Sequence, residues 1–201
     1  MANLITLLRF PLFFLYLAGL YFGNATVQLW CAPFIAVIFL LDTVDGYVAR
    51  RRGEVSLLGS AIDIATDRTL EVVLWVVFAD LRLLPILLPL IAIVRGTTVD
   101  AVRAVGMSRG KTAFEQMRHP LNRFLVSSRF MRELYGITKG VAFFLLTLDL
   151  WARTSAQPFA GAIHTAALLL AWLAIALNVL RGLPVLIEAV PLFRAGRSPV
   201  N

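Results

Sequence analysis

The sequence is poor in cysteine and in charged side chains. Its single cysteine, Cys31, cannot form a disulfide within the chain. Charged residues make up 15% of the chain, against about 25% in an ordinary soluble domain. Internal repeats and low-complexity segments are also missing. These absences argue against a soluble or multidomain protein, and we expect a single domain over residues 1–201.

Apolar residues are abundant, at 59% of the chain, and they gather in long runs. Such runs predict membrane-spanning helices, for which about 20 residues are needed. The first run has no small-residue cleavage site after it, so we expect it to remain as the first helix. The predicted fold class is an all-α integral membrane protein with six transmembrane helices. The six apolar segments are Leu7–Phe22, Val27–Leu41, Leu58–Ala79, Leu84–Val105, Ile137–Trp151 and Ala160–Leu180.

The net charge of +7 is spread unevenly over the connections between these segments. Connections on one side carry no basic residue or a single one, Arg82 or Arg153. The other side carries Arg9, the arginines at 50–52 and the basic stretch 103–139. The positive-inside rule therefore places both termini in the cytosol, with a basic face toward anionic membrane lipids. We expect no nucleic-acid partner for so apolar a chain, and an interfacial segment with a loose tail at 183–201.

Four aspartates lie in or beside the second and third apolar segments. Asp42 and Asp45 are three residues apart, so they share a face if the second helix continues through them. Gly59, Asp63 and Asp67 recur every four residues and form one stripe along the third helix. Both helix ends are predicted on the cytosolic side, so the four carboxylates should converge in a pocket just inside that boundary.

Converging carboxylates repel one another, so either some are protonated or cations lie among them. With no cysteine or histidine nearby, oxygen ligation favours Mg²⁺ or Mn²⁺, and then Ca²⁺. Three or four carboxylates can bridge two such ions about 3.5–4 Å apart. Glu71 continues the stripe but is expected to pair with Arg68. The structural alternative is that the aspartates form ion pairs with the nearby arginines, Arg50, Arg51, Arg52 and Arg68.

The acidic stretch also matches a known pattern. Its specified positions read Asp42-x2-Asp45-Gly46-x2-Ala49-Arg50-x8-Gly59-x3-Asp63-x3-Asp67. In this spacing the chain resembles the CDP-alcohol phosphatidyltransferase family, and its start, "NLITLLRFP", resembles the amphipathic N-terminal approach to the first helix in that family. The resemblance implies a six-helix membrane enzyme whose site lies at the cytosolic ends of helices two and three.

The resemblance further implies roles for individual residues. Asp42, Asp45 and Asp63 would be ligands of a two-metal centre, while Asp67 would bind metal and act as the general base. The nucleotide end of a CDP-linked lipid would be held by residues of the motif and its surroundings, Thr6, Gly46, Ala49, Arg50, Ser56 and Gly59. Ser56 also precedes an apolar run, which suits a helix N-cap equally well.

The acceptor side is less specific. Arg95, Arg103 and Lys111 follow an order that resembles the phosphate-binding residues of phosphatidylglycerophosphate and phosphatidylinositol phosphate synthases in this family. Topology alone would explain Arg103 and Lys111, and an ion pair with Asp100 or a motif aspartate would explain Arg95. The basic segment 117–139 fits either an interfacial helix on anionic lipid or a bulkier anionic acceptor.

The predicted reaction is phosphatidyl transfer from a CDP-diacylglycerol-type lipid to an alcohol, with release of CMP. Glycerol 3-phosphate is the first candidate acceptor, and inositol phosphate and phosphatidylglycerol, as in cardiolipin synthases, are the alternatives. A divalent-cation transporter is the competing class, although its acidic residues should be distributed through the membrane depth. The resemblance also implies a homodimer. From the charge distribution we expect the site on the cytosolic face of the membrane, and we expect that membrane to be a bacterial inner or plasma membrane.

Overall fold

The computed structural model describes residues 2–52, 57–108 and 120–195, and these form seven helices. Side chains are described at residues 8–41, 59, 62, 64–104, 122, 124–126 and 128–189. The helices are α1 (Ala2–Phe22), α2 (Ala25–Arg52), α3 (Leu57–Asp80), α4 (Leu87–Ser108), α5 (Pro120–Ser127), α6 (Arg129–Thr154) and α7 (Ala160–Ala195). The all-α prediction is confirmed for this part of the chain.

Six of these helices overlap the six predicted apolar segments, while α5 has 8 residues and is far shorter than the roughly 20 needed to cross a bilayer. Within the described ranges, two stretches are long and apolar enough to cross a membrane by length and composition, Arg129–Thr154 and Ala160–Ala189. Leu8–Phe22 and Ala25–Leu41 are apolar but shorter. The six-span arrangement and the cytosolic termini stay predictions.

The helix α7 continues well beyond Leu180, where the last apolar segment was expected to end. It runs through Pro184 and Pro191 to Ala195. A proline removes one helical hydrogen bond, but apolar helices tolerate this where neighbouring groups satisfy the freed carbonyl. Much of the expected interfacial segment is therefore helical, and residues 196–201 lie outside the described part.

The chain divides into two compact units. The first unit comprises Met1–Ile86 and Gly140–Leu170, and the second comprises Leu87–Lys139 and Ala171–Asn201. The first contains α1, α2 and α3 together with the later part of α6 and the early part of α7. The second contains α4, α5 and the remaining parts of α6 and α7. The prediction of a single domain is left untested.

Buried aromatic rings hold the first unit together. Phe143 of α6 lies edge-on to Trp75 of α3, with ring centroids 4.7 Å apart, and also contacts Phe78 at 5.8 Å. Tyr16 of α1 is hydrogen-bonded to Thr147 of α6, with the two hydroxyl oxygens 2.7 Å apart. All five side chains are fully buried. α1 and α3 therefore both pack against α6, which fixes their positions relative to each other.

α1 and α2 approach closely where the chain turns between them. A Cβ atom at Gly19 would lie 2.6 Å from Sγ of Cys31, so glycine is needed for the two helices to come this near. The side chain of Asn24 accepts a hydrogen bond from the backbone N–H of Val27 at 3.0 Å and caps the start of α2. The cap and the close contact make α1 and α2 a tight hairpin.

The second unit has its own buried cluster. Val99 and Val102 of α4, Val126 of α5 and Val185 and Ala189 of α7 form it together. The cluster shows that the short α5 packs inward through one side, so it belongs to the fold of this unit.

The basic segment 117–139 is divided between two helices, as far as it is described. Ser128 separates α5 from α6 and caps α6, because its Oγ accepts a hydrogen bond from the N–H of Met131 at 3.0 Å. Nδ2 of Asn122 in α5 donates to Oε1 of Glu188 in α7 at 2.6 Å. This hydrogen bond and the valine cluster hold α5 against α7.

Candidate functional site

The motif residues lie near the end of α2 and in the first half of α3. α2 continues through Asp42 and Asp45, so the backbone meets the condition for a shared helical face. Gly59, Asp63 and Asp67 all lie within α3. The side chains of Asp42, Asp45 and Asp63 lie outside the described residues, so the convergence of the four carboxylates stays a prediction.

Several other predicted site residues also lie outside the described side chains. Ser56 and Lys111 fall in stretches whose structure is not described. Four further residues are described only as helical backbone: Thr6, Gly46, Ala49 and Arg50. Their roles stay predictions.

Asp67 is the motif aspartate whose side-chain surroundings are described. Its side chain is 50% exposed, although its neighbours Thr66 and Leu70 on the same helix are buried. Asp67 therefore lies at the boundary of the buried face of α3. A carboxylate in this position can be held by the protein through one oxygen and still be reached from outside.

Arg9 of α1 supplies that hold. Its Nη2 donates a hydrogen bond to Oδ1 of Asp67 at 2.9 Å, and its side chain is only 2% exposed. A buried guanidinium is costly unless an anion compensates it. A hydrogen bond between oppositely charged groups is also stronger than a neutral one. The pair therefore fixes one oxygen of Asp67 toward α1.

This contact was not predicted from the sequence, in which Arg9 counts only among the charges that set topology. The available signal was a lone arginine inside an apolar run, which predicts an anionic partner. That signal does not identify the partner, because Asp67 is 58 positions away along the chain.

The predicted pair between Arg68 and Glu71 is confirmed. Nη1 of Arg68 lies 3.9 Å from Oε2 of Glu71, which is 8% exposed. Glu71 therefore continues the acidic stripe as a buried, charge-compensated residue on α3. The contact supports its reading as a structural residue outside the metal-ligand set.

Of the predicted acceptor residues, Arg95 and Arg103 are described, and both lie on α4 and are partly buried. Arg95 lies directly against Gly182 of α7. A Cβ atom at Gly182 would lie 2.5 Å from Nε and 3.0 Å from Cγ of Arg95. Gly182 thus provides the space that the arginine side chain occupies where α4 meets α7.

Two further cations of the second unit surround Tyr135 of α6. Nζ of Lys139 lies 5.2 Å from the centre of its ring, and Cζ of Arg181 lies 5.5 Å from it. Cation–π contacts orient a positive charge over the face of the ring. Arg181 precedes Gly182 in α7, so the residue that contacts Tyr135 is adjacent in sequence to the glycine that contacts Arg95 of α4. Neither Lys139 nor Arg181 was predicted from the sequence to be an acceptor residue.

The donor atoms of the motif fit hard divalent cations. All four are carboxylates, and oxygen ligands suit Mg²⁺ and Mn²⁺. Nδ1 of His164 is 2.8 Å from Asp149, and Cys31 is buried beside Gly19, so these softer donors are engaged elsewhere. Among the described side chains no three potential metal ligands come together, and that set contains only one motif aspartate, Asp67.

A separate charged cluster lies where α6 ends and α7 begins. Asp149 is fully buried and accepts a hydrogen bond from Nε of Arg153 at 3.0 Å. Its other oxygen contacts Nδ1 of His164. These contacts compensate a buried carboxylate and link the two helices, so we interpret the cluster as structural.

Comparison with known proteins agrees with the motif. The chain matches the family model of CDP-alcohol phosphatidyltransferase over residues 1–194. No curated protein gives a significant match. The family match covers α1 to α6, α7 up to residue 194, and every position of the motif from Asp42 to Asp67. The chain therefore belongs to the CDP-alcohol phosphatidyltransferase family of membrane enzymes, which are phosphotransferases for substituted phosphate groups.

Proposed function

We propose that this enzyme transfers the phosphatidyl group of a CDP-diacylglycerol-type lipid to the hydroxyl of an alcohol and releases CMP. The observation that carries the proposal is the family match over residues 1–194. This range of the chain contains all four motif aspartates. The match favours this function over a divalent-cation transporter.

Asp67 is the proposed general base. An alcohol is a poor nucleophile until its proton is removed, and a positioned carboxylate can accept that proton. The alcohol oxygen attacks the phosphorus of the phosphatidyl group while its proton passes to Oδ2 of Asp67. A bond forms from oxygen to phosphorus, the phosphorus–oxygen bond to CMP breaks, and CMP leaves. The half-exposed position of Asp67 supports this role, since the acceptor must reach it.

Asp42, Asp45, Asp63 and Asp67 would hold two divalent cations, Mg²⁺ or Mn²⁺. When bound, such cations polarise the phosphoryl oxygens and stabilise the charge on the leaving CMP. The nucleotide end of the donor would be held by the remaining motif positions and their surroundings, Thr6, Gly46, Ala49, Arg50, Ser56 and Gly59.

The proposed acceptor carries a negative charge. Support comes from the cations of the second unit: Lys139 and Arg181 lie over the ring of Tyr135, and Arg95 lies against Gly182. Arg103 and Lys111 would add to this charge. Glycerol 3-phosphate is the first candidate, and inositol phosphate and phosphatidylglycerol are the alternatives.

The proposed enzyme works at the cytosolic face of a membrane, and a bacterial inner or plasma membrane is the proposed setting. The uneven distribution of basic residues supports this orientation. We also propose a homodimer, on the family resemblance alone.

The test is CMP release by the purified protein in lipid nanodiscs. CDP-diacylglycerol is supplied with Mg²⁺ or Mn²⁺ and one acceptor at a time: glycerol 3-phosphate, inositol 1-phosphate, inositol, serine or phosphatidylglycerol. We expect metal-dependent CMP release with a phosphorylated acceptor and little with uncharged inositol. Asp67→Asn should lower kcat by about 10²–10⁴-fold, the usual contribution of a general base. No CMP release with any acceptor and either metal would overturn the proposed function.

A further inference from the structure

The ion pair between Arg9 and Asp67 has a geometry that membrane topology does not explain. A topological arginine lies at the interface, where its long side chain can reach water. Arg9 is instead 2% exposed, and its Nη2 is directed to one oxygen of a carboxylate on another helix. The cation is thus buried, while the anion it meets is half exposed. The contact is better explained by what it does to Asp67.

When one oxygen of a carboxylate is held by a hydrogen bond, the orientation of the carboxylate plane and the direction of the second oxygen are both restricted. Oδ1 of Asp67 faces Arg9, and Oδ2 has no hydrogen-bond partner among the described residues. Free rotation about the side-chain bond would otherwise let the two oxygens exchange places. The guanidinium also offsets the charge of Asp67, so less repulsion remains within the acidic set.

We propose that Arg9 is a positioning residue that holds Asp67 by Oδ1 and leaves Oδ2 directed to the acceptor hydroxyl. This inference rests on the proposed function, because it assumes that Asp67 accepts the proton of the acceptor. In this role Arg9 acts on the reaction through Asp67. α1, which carries Arg9, is packed against α6 through Tyr16, and α3, which carries Asp67, is packed against Phe143 of α6. These contacts help to keep Arg9 and Asp67 together.

The role predicts a change in turnover with little change in binding. Losing the hydrogen bond from Arg9 leaves the other three motif aspartates and the nucleotide site in place but lets the carboxylate of Asp67 leave its working geometry. A small misplacement of a catalytic group can reduce the rate about 100-fold. Arg9→Gln should therefore lower kcat by about 10–100-fold, while the KM values for the CDP-lipid and for the acceptor change by less than threefold.

The conservative variant separates position from charge. Arg9→Lys keeps the positive charge but lacks the planar fork of the guanidinium. It should recover at least part of the kcat lost in Arg9→Gln. Should Arg9→Gln not fold, Arg9→Lys carries the test alone, with a kcat below that of the wild type at unchanged KM.

A readout independent of activity is a double-mutant cycle on thermal unfolding of the detergent-solubilised protein. Arg9→Gln and Asp67→Asn are compared singly and together. Paired residues give non-additive effects, so Arg9→Gln should lower the melting temperature much less in the Asp67→Asn background than in the wild type. Binding of Mn²⁺ to Arg9→Gln, measured by titration calorimetry, should stay within threefold of the wild type.

Arg153→Gln is the matched control. It removes an arginine from another ion pair of the same unit, that with the buried Asp149. It should lower the melting temperature and leave kcat of the folded protein unchanged.

Wild-type kcat for Arg9→Gln, additive effects in the unfolding cycle, or a loss confined to KM would each overturn the positioning role. These outcomes are distinct from a failure of the proposed function, in which the wild-type protein releases no CMP.

Discussion

At the scale of single residues, the motif identified Asp67 but not the arginine that holds it. Residues of one stripe on a helix are related by spacing, so sequence alone predicts which aspartates share a face. Arg9 meets Asp67 because α1 and α3 lie next to each other in the fold, and periodicity does not show which helices are neighbours. The pair of Arg68 and Glu71 was predictable because its partners are three positions apart on one helix.

The cations around Tyr135 give a prediction at this scale. Arg181→Gln should raise the KM for an anionic acceptor about tenfold or more, because hydrogen bonds to charged groups contribute about 1.5–3 kcal/mol. The KM for the CDP-lipid should stay within threefold. The measurement is CMP release over a range of acceptor concentrations.

Tyr135→Phe is the control for this prediction, since it keeps the ring that contacts Lys139 and Arg181. It should preserve most of the acceptor affinity. An Arg181→Gln variant whose acceptor KM matches that of the wild type would show that the anion binds elsewhere.

At the scale of helices, apolar segments predicted where the helices lie better than where they end. α4 begins at Leu87 rather than at Leu84, and α7 extends past two prolines to Ala195. Hydropathy measures the stretch that suits lipid, whereas the ends depend on caps and packing. The break between α5 and α6 at Ser128 was not predicted, because in the sequence a serine that caps a helix looks the same as any other polar residue of a basic segment.

The contact between α4 and α7 gives a prediction at the scale of helices. Gly182→Ala places a Cβ atom 2.5 Å from Nε of Arg95, so the arginine side chain must shift. Gly136→Ala in α6 is the control, because a Cβ atom there has nothing within 4 Å. Both changes gain about 1 kcal/mol of helix propensity. The difference between them therefore reports the contact.

Thermal unfolding in detergent should show Gly182→Ala melting below Gly136→Ala, and Gly182→Leu melting lower still. The Gly182 variants should also raise the acceptor KM if Arg95 binds the acceptor. Equal melting temperatures for Gly182→Ala and Gly136→Ala would show that the space beside Gly182 is not needed for packing.

At the scale of the whole molecule, composition predicted a helical membrane protein and the motif predicted the family, which the match over residues 1–194 shows. The motif could be recognised because its positions lie within a short stretch, from Asp42 to Asp67. The acceptor could not be identified in the same way, because the cations proposed to bind it are spread along the sequence from Arg95 to Arg181. The membrane topology and the pairing of two chains remain predictions.

The central claim is that the motif aspartates hold two divalent cations for transfer from a CDP-lipid. Its most direct test is a titration of the nanodisc-embedded protein with Mn²⁺ in the presence of CMP. Electron paramagnetic resonance measures how many Mn²⁺ ions are bound at equilibrium. Two bound ions per chain are predicted for the wild type, with loss of at least one in Asp45→Asn and in Asp63→Asn. Equal Mn²⁺ binding by the wild type and by a variant carrying both substitutions would contradict the account.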